Sequence, residues 1–126
     1  MFDGPEPIYV QIAAWVRTQI LAGDLADGDQ VMSTTQLSTT FRLNPATAAK
    51  AYAGLVDEGL LVKRRGIGMF VADGARDALL AEHRRTFYTD VLDPALDRAA
   101  LLGIPVDELV DHIRGHARTT PGGDPR

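Results

Sequence analysis

The dipeptide Asn44-Pro45 constrains the fold more than any other feature of the sequence. Asparagine is a strong helix N-cap, and proline suits the first helical position, where its missing N–H leaves no bond unmade. A helix therefore starts there and runs to about Glu58, with Gly59 as its stop. Only Arg42 and Leu43 separate it from a shorter helical segment, Thr34 to Phe41, which Ser33 can cap. Leu37 and Phe41 lie four residues apart there and share one face. Two helices joined by so short a turn form a helix-turn-helix pair.

The flanks complete the pattern. Ile8 to Ala22 reads as a first helix, with Ile12, Trp15, Val16, Gln19 and Ile20 at helical spacing, Pro7 in its first turn and Gly23 at its end. The stretch from Gly23 to Gln30 is turn chemistry centred on Asp-Gly. After Gly59, Leu60 to Arg64 and Met69 to Ala72 read as two strands joined through Arg65-Gly66-Ile67-Gly68. Helix, helix, turn, helix, hairpin is the order of a winged helix-turn-helix head, expected over residues 1–72.

A helical stretch is expected from Asp73 or Gly74 to about Leu102, with Leu80, Phe87, Val91 and Leu92 at helical spacing, Leu79 and Tyr88 beside them, and a kink or division at Pro94. Pro105 to Arg114 reads as a last short helix carrying Val106, Leu109, Val110 and Ile113. Residues 116–126 have the composition of a disordered tail. The fold class is thus mainly α with one small β-hairpin, a head followed by a helical segment over 73–115. A helix pair of this size cannot easily bury its own apolar face. Leu80, Phe87, Val91 and Leu102 are therefore expected in a homodimer interface; a pair folded back on its own head is the alternative.

The second helix of the pair is the candidate reader of DNA. At 100° per residue, Ala48, Ala51, Tyr52 and Leu55 cluster inward, Ala46 and Lys50 point outward, and Thr47 and Ala49 lie on the flanks. Its free N-terminal N–H groups favour a phosphate, and Lys50 can reach a phosphate or a guanine edge. Lys63, Arg64 and Arg65 run directly into the glycine turn and can lie along a phosphate backbone. The net charge of −4 argues mildly the other way, but the excess acid lies mostly after Ala72: residues 1–72 carry 6 Lys/Arg against 7 Asp/Glu, residues 73–126 carry 7 against 10.

Together, the segments PIYVQIAAWVRTQILAGDLADGDQV and QLSTTFRLNPATAAKAYAGLVDEGLLVKRRGIGMFVA resemble the DNA-binding domain of GntR-type transcription regulators. The opening Asn44-Pro45-x-Thr47 with Ala51-Tyr52, and the short helical region that follows the head, are similar to the YtrA subfamily. The resemblance implies a repressor that binds double-stranded palindromic DNA as a homodimer. It places Ser33, Thr35 and Gln36 at the start of the helix before the reader, and Asn44, Pro45, Ala46, Thr47 and Lys50 at reader positions. Arg64, Arg65, Gly66 and Gly68 would form the wing. The family usually has Pro-Ser-Glu-Arg where this chain has Met32-Ser33-Thr34-Thr35, so Thr35 stands at a position often held by a DNA-contacting arginine, and the usual arginine near the reader's start is absent.

Other functions find little support. The chain has no cysteine, which removes disulfides and thiolate metal sites. His112 and His116 are four apart, but Gly115 intervenes and no carboxylate completes a set; His83 stands apart, and Asp90, Asp93 and Asp97 match no calcium loop. Ser33 and Ser38 lie in no nucleophile motif. Gly66-Ile67-Gly68 lies between strands and opens no helix, which excludes a nucleotide loop. No enzyme, cofactor or metal is expected. The N-terminus lacks the features of a signal peptide and no run is long enough to span a bilayer, so no membrane association and a cytoplasmic setting are expected. No segment reads as an effector domain; a small-molecule effector would need a pocket between the C-terminal helices and the head. A winged-helix module that binds protein and does not read DNA is the alternative function.

Overall fold

The computed structural model describes residues 2–119. Its elements are α1 (Ile8–Ala22), α2 (Thr34–Phe41), α3 (Pro45–Asp57), β1 (Leu61–Arg64), β2 (Gly68–Val71), α4 (Ala75–Phe87), a π-helical turn (Tyr88–Leu92), α5 (Asp93–Leu101) and α6 (Val106–Thr119). This is the expected mainly helical chain with one antiparallel hairpin. It divides into two units, Met1–His83 and Arg84–Arg126.

The first unit is built around one apolar cluster. Ile12, Val16 and Ile20 from α1, Leu37 from α2, and Ala48, Ala51, Tyr52 and Leu55 from α3 are buried together with Leu60, Leu61 and Val71 of the hairpin. The inward face expected of α3 is therefore the buried one. Ala75 and Leu79 of α4 join the same cluster. The head thus ends within α4 and not at Ala72: the first two turns of this helix close the core, whereas the separate segment was expected to begin at residue 73. Leu79 takes the buried position, while Leu80 is only half-buried.

Local chemistry fixes the helix-turn-helix. Ser33 and Gln36 form a reciprocal cap, with the Gln36 N–H donating to Ser33 Oγ at 3.0 Å and the Ser33 N–H donating to Gln36 Oε1 at 2.8 Å. Asn44 Oδ1 accepts from the Ala46 N–H at 2.8 Å, with Pro45 in the first turn behind it. Between the helices Arg42 adopts φ 53, a left-handed conformation that costs a non-glycine residue roughly 1 kcal/mol. Its N–H donates to the Ser38 carbonyl and closes α2.

The hairpin is in register Leu61↔Val71 to Arg64↔Gly68. The Ile67 N–H donates to the Arg64 carbonyl at 2.9 Å, and Gly66 takes φ 75 at the third turn position, where a side chain would be strained. The segment before α2 pairs with β2 through a bridge at Gln30↔Phe70, so the wing is braced along its second strand.

In the second unit the helix passes Pro94 without breaking. The Asp93 N–H donates to the Tyr88 carbonyl, five residues back, and this wider turn makes room for the proline ring. Gly103 at φ 71 ends α5. Helix α6 continues to Thr119, so residues 116–119, expected in a disordered tail, are helical; the remainder of that tail lies outside the described residues. Among the described residues of this unit only Ala99 is a buried apolar side chain. Phe87, Tyr88, Val91, Leu96, Leu101 and Leu102 are exposed, as are Val106 and Ile113.

Candidate nucleic-acid interface

Helix α3 presents the surface its sequence phase predicts. Ala46, Ala49 and Lys50 are exposed, Thr47 is half-buried, and Asn44 and Pro45 are exposed at its start. The small side chains leave the helix backbone close to whatever lies against that face. Asn44 uses its carbonyl oxygen as the cap, and its amide nitrogen has no partner among the described residues. That nitrogen is a free donor at the start of α3, whose first N–H groups, those of Ala46, Thr47 and Ala48, all donate to Asn44.

Lys50 does not simply extend outward. Its ammonium lies 4.1 Å from the centroid of the Tyr9 ring on α1. In the wing, the Arg64 guanidinium lies 4.6 Å from the Phe70 ring centroid. Cation–π contacts at exposed sites contribute about 0.5–1 kcal/mol. A base or phosphate contact of about 1–3 kcal/mol outweighs them, so both cations are held near the surface and remain available. Tyr9 and Phe70 were not singled out by the sequence; no local periodicity reports a pairing between distant elements.

The expected residues fall into two groups. Ser33 and Gln36 are exposed but mainly serve each other as the cap of α2, and Thr35 is exposed on its first turn. Arg65 and Gly66 are exposed at the wing tip. Gly68, at φ 146, lies against the Gln30 side chain: a Cβ there would come within 2.5 Å of Gln30 Nε2. That amide nitrogen donates to the Ile67 carbonyl at 3.2 Å, so Gln30 holds the wing tip directly.

Charge placement follows from the pairings. Arg17 is taken up by a two-point ion pair with Glu58, at 3.1 and 2.5 Å. Asp27 and Asp29 accept from the Gly74 and Ala26 N–H groups. Every other cation of residues 1–72 is exposed on the inter-helix turn, α3 or the wing: Arg42, Lys50, Lys63, Arg64 and Arg65. The near-neutral total therefore conceals a one-sided distribution along the chain. Among the described residues, no group of His, Asp and Glu could hold a metal ion, and no helix is long and apolar enough to cross a membrane.

The arrangement agrees with comparison to known proteins. The family model described as "Bacterial regulatory proteins, gntR family" matches residues 8–71, the span of α1 through β2. The HTH-type transcriptional repressor YtrA of Bacillus subtilis (strain 168) is 30% identical over 117 residues, which cover 93% of this chain and 89% of that one. A transcriptional regulator from Oenococcus oeni shares the fold, with TM-score 0.76 over 91% of this chain and 94% of that one at 19% identity. AraR(DBD), solved in complex with operator ORX1, matches 57% of this chain and 93% of its own at 30% identity and TM-score 0.54. The family match lies over the helix-turn-helix and its wing, and the likeness to the repressor YtrA extends through the C-terminal helices: this chain belongs to the GntR family of bacterial regulatory proteins.

Proposed function

We propose that the chain is a transcription repressor that binds a palindromic duplex operator as a homodimer. The observation that carries the DNA-binding half is the confinement of the exposed cations of residues 1–72 to the turn, α3 and the wing, around a reader helix with a small, uncluttered outer face. Operator binding by AraR(DBD), whose structure matches the head, supports it. In this reading Asn44, Ala46, Thr47 and Lys50 face bases or phosphates. Arg64, Arg65 and the Gly66–Gly68 tip follow the backbone, and Ser33, Thr35 and Gln36 approach a flanking phosphate.

The dimer half rests on the apolar side chains that the second unit leaves uncovered, Phe87, Val91 and Leu102 among them, at 47%, 54% and 68% exposure. Two-fold packing of identical copies covers such a face and matches the symmetry of a palindrome.

Selection of bound duplexes from a random pool, followed by titration of the enriched duplex at two salt concentrations, tests both halves. An enriched palindrome with salt-dependent affinity is expected. Failure to enrich any duplex would leave the protein-binding module as the function.

A further inference from the structure

On the inward side of the reader helix the head contains a cavity of about 170 Å³, separate from the surface offered to DNA. Trp15 and Gln19 of α1, Leu25, Gln30 and Met32 of the following loop, and Tyr52 of α3 line it. None of these side chains is charged. A cavity of roughly 150 Å³ suffices for a benzene ring, so one six-membered ring fits here.

The polar groups are selective. Tyr52 is only 2% exposed overall, and its hydroxyl, which keeps contact with solvent, has no hydrogen-bond partner among the described residues. An occupant can therefore exchange hydrogen bonds with it in place of water, a net contribution of about 0.5–1.5 kcal/mol. Burial pushes the Tyr52 pKa up to about 12, so the group stays a neutral donor and acceptor at any physiological pH. Gln30 uses its amide nitrogen on the Ile67 carbonyl, which leaves its Oε1 as an acceptor. Gln19, half-buried, brings a second amide.

We propose that this cavity binds a small neutral compound with one ring, a hydrogen-bond donor and an acceptor, and that its occupancy reaches DNA recognition through two side chains. Tyr52 belongs to the reader helix. Gln30 holds the wing tip at Ile67 and blocks the space beside Gly68. An occupant that draws on either side chain shifts the element it supports. The binding claim stands alone, whereas the effect on recognition rests on the DNA-binding reading above.

Trp15 is the chain's single tryptophan, so its fluorescence reports on the cavity wall. The experiment titrates the full chain with benzamide and, separately, with valerolactam. A saturable change is expected for at least one, with a Kd on the order of 1 mM or tighter, a reasonable figure for about seven to nine non-hydrogen atoms. Tyr52→Phe should weaken it at least about fivefold, the equivalent of one hydrogen bond. Gln19→Leu, whose side chain is less central to the core, should do likewise and guards against a folding defect in the first variant. No saturable change with either compound, or unchanged affinity in both variants, overturns the site. With the probe at saturation, operator affinity should change at least about threefold; an unchanged value overturns the link to recognition. If the chain binds no duplex at all, the fluorescence arm still decides the cavity, which keeps the two failures distinct.

Discussion

The head and the C-terminal unit use similar helices to opposite ends. In the head, fifteen residues from helices, loops and hairpin form one buried cluster. Among the described residues of the C-terminal unit, Ala99 alone is a buried apolar side chain, and Leu101 is 89% exposed. A helix alone does not decide where its apolar face goes; the supply of surrounding surface does. The head has enough elements to enclose a core, whereas two helices and a π turn do not. The first unit therefore encloses its apolar side chains, and the second leaves most of its own exposed, the feature on which the proposed association rests.

The strongest way to break this contrast is to remove equivalent side chains from both units. Leu55→Ala, at a fully buried site in the head, should cost about 2–5 kcal/mol. Leu101→Ala should change the stability of the isolated subunit by less than about 0.5 kcal/mol. Urea denaturation monitored through Trp15 measures both, and similar losses would erase the distinction.

Association provides the second test. Phe87→Asp places a charge on an exposed apolar face, and the proposed dimer should dissociate at concentrations where the unmodified chain is paired. Sedimentation velocity reads the outcome, with Trp15 fluorescence confirming that the head is still folded. A dimer of unchanged strength would move the interface elsewhere.

Much of the head is legible in sequence because its punctuation is local. Asn44-Pro45, the Ser33–Gln36 box and Gly66 each act within a turn, so their chemistry shows in adjacent letters. The inward face of α3 is legible for the same reason, as phase along one helix. What could not be read is which distant surface a face meets. Leu79 and Leu80 both fit an apolar stripe, and only tertiary packing puts Leu79 in the head and moves its boundary into α4. The Tyr9–Lys50 and Arg64–Phe70 contacts, and Gln30's hold on Ile67, join residues by packing alone. Phe2 is a further case: it stacks edge-on against Trp15 and Phe41, although nothing in its neighbourhood predicts an ordered N-terminus.

Two smaller tests sharpen the division within the head. Lys50→Ala should weaken operator binding by roughly 1–3 kcal/mol if the ammonium leaves Tyr9 for a base edge, with the largest loss on the preferred sequence. Equal loss on all duplexes would mean a phosphate contact, and no loss on any would remove Lys50 from the interface. Replacing Arg64 and Arg65 by alanine should reduce the slope of log affinity against log salt by about 0.9 for each phosphate contact removed. An identical slope would put the wing off the DNA.

The π turn at Tyr88–Leu92 has a genetic consequence. Each residue advances an α-helix by about 100°. The π turn carries five residues through nearly the angle that four cover in an α-helix, so deleting one residue here would restore ordinary four-back hydrogen bonds and leave Leu96 and Ala99 on their present side of the axis relative to Phe87. A one-residue deletion within α5 has no such reserve and would turn every later residue of the helix by about 100°. A three-nucleotide change in length is thus absorbed at this turn and felt elsewhere in the helix.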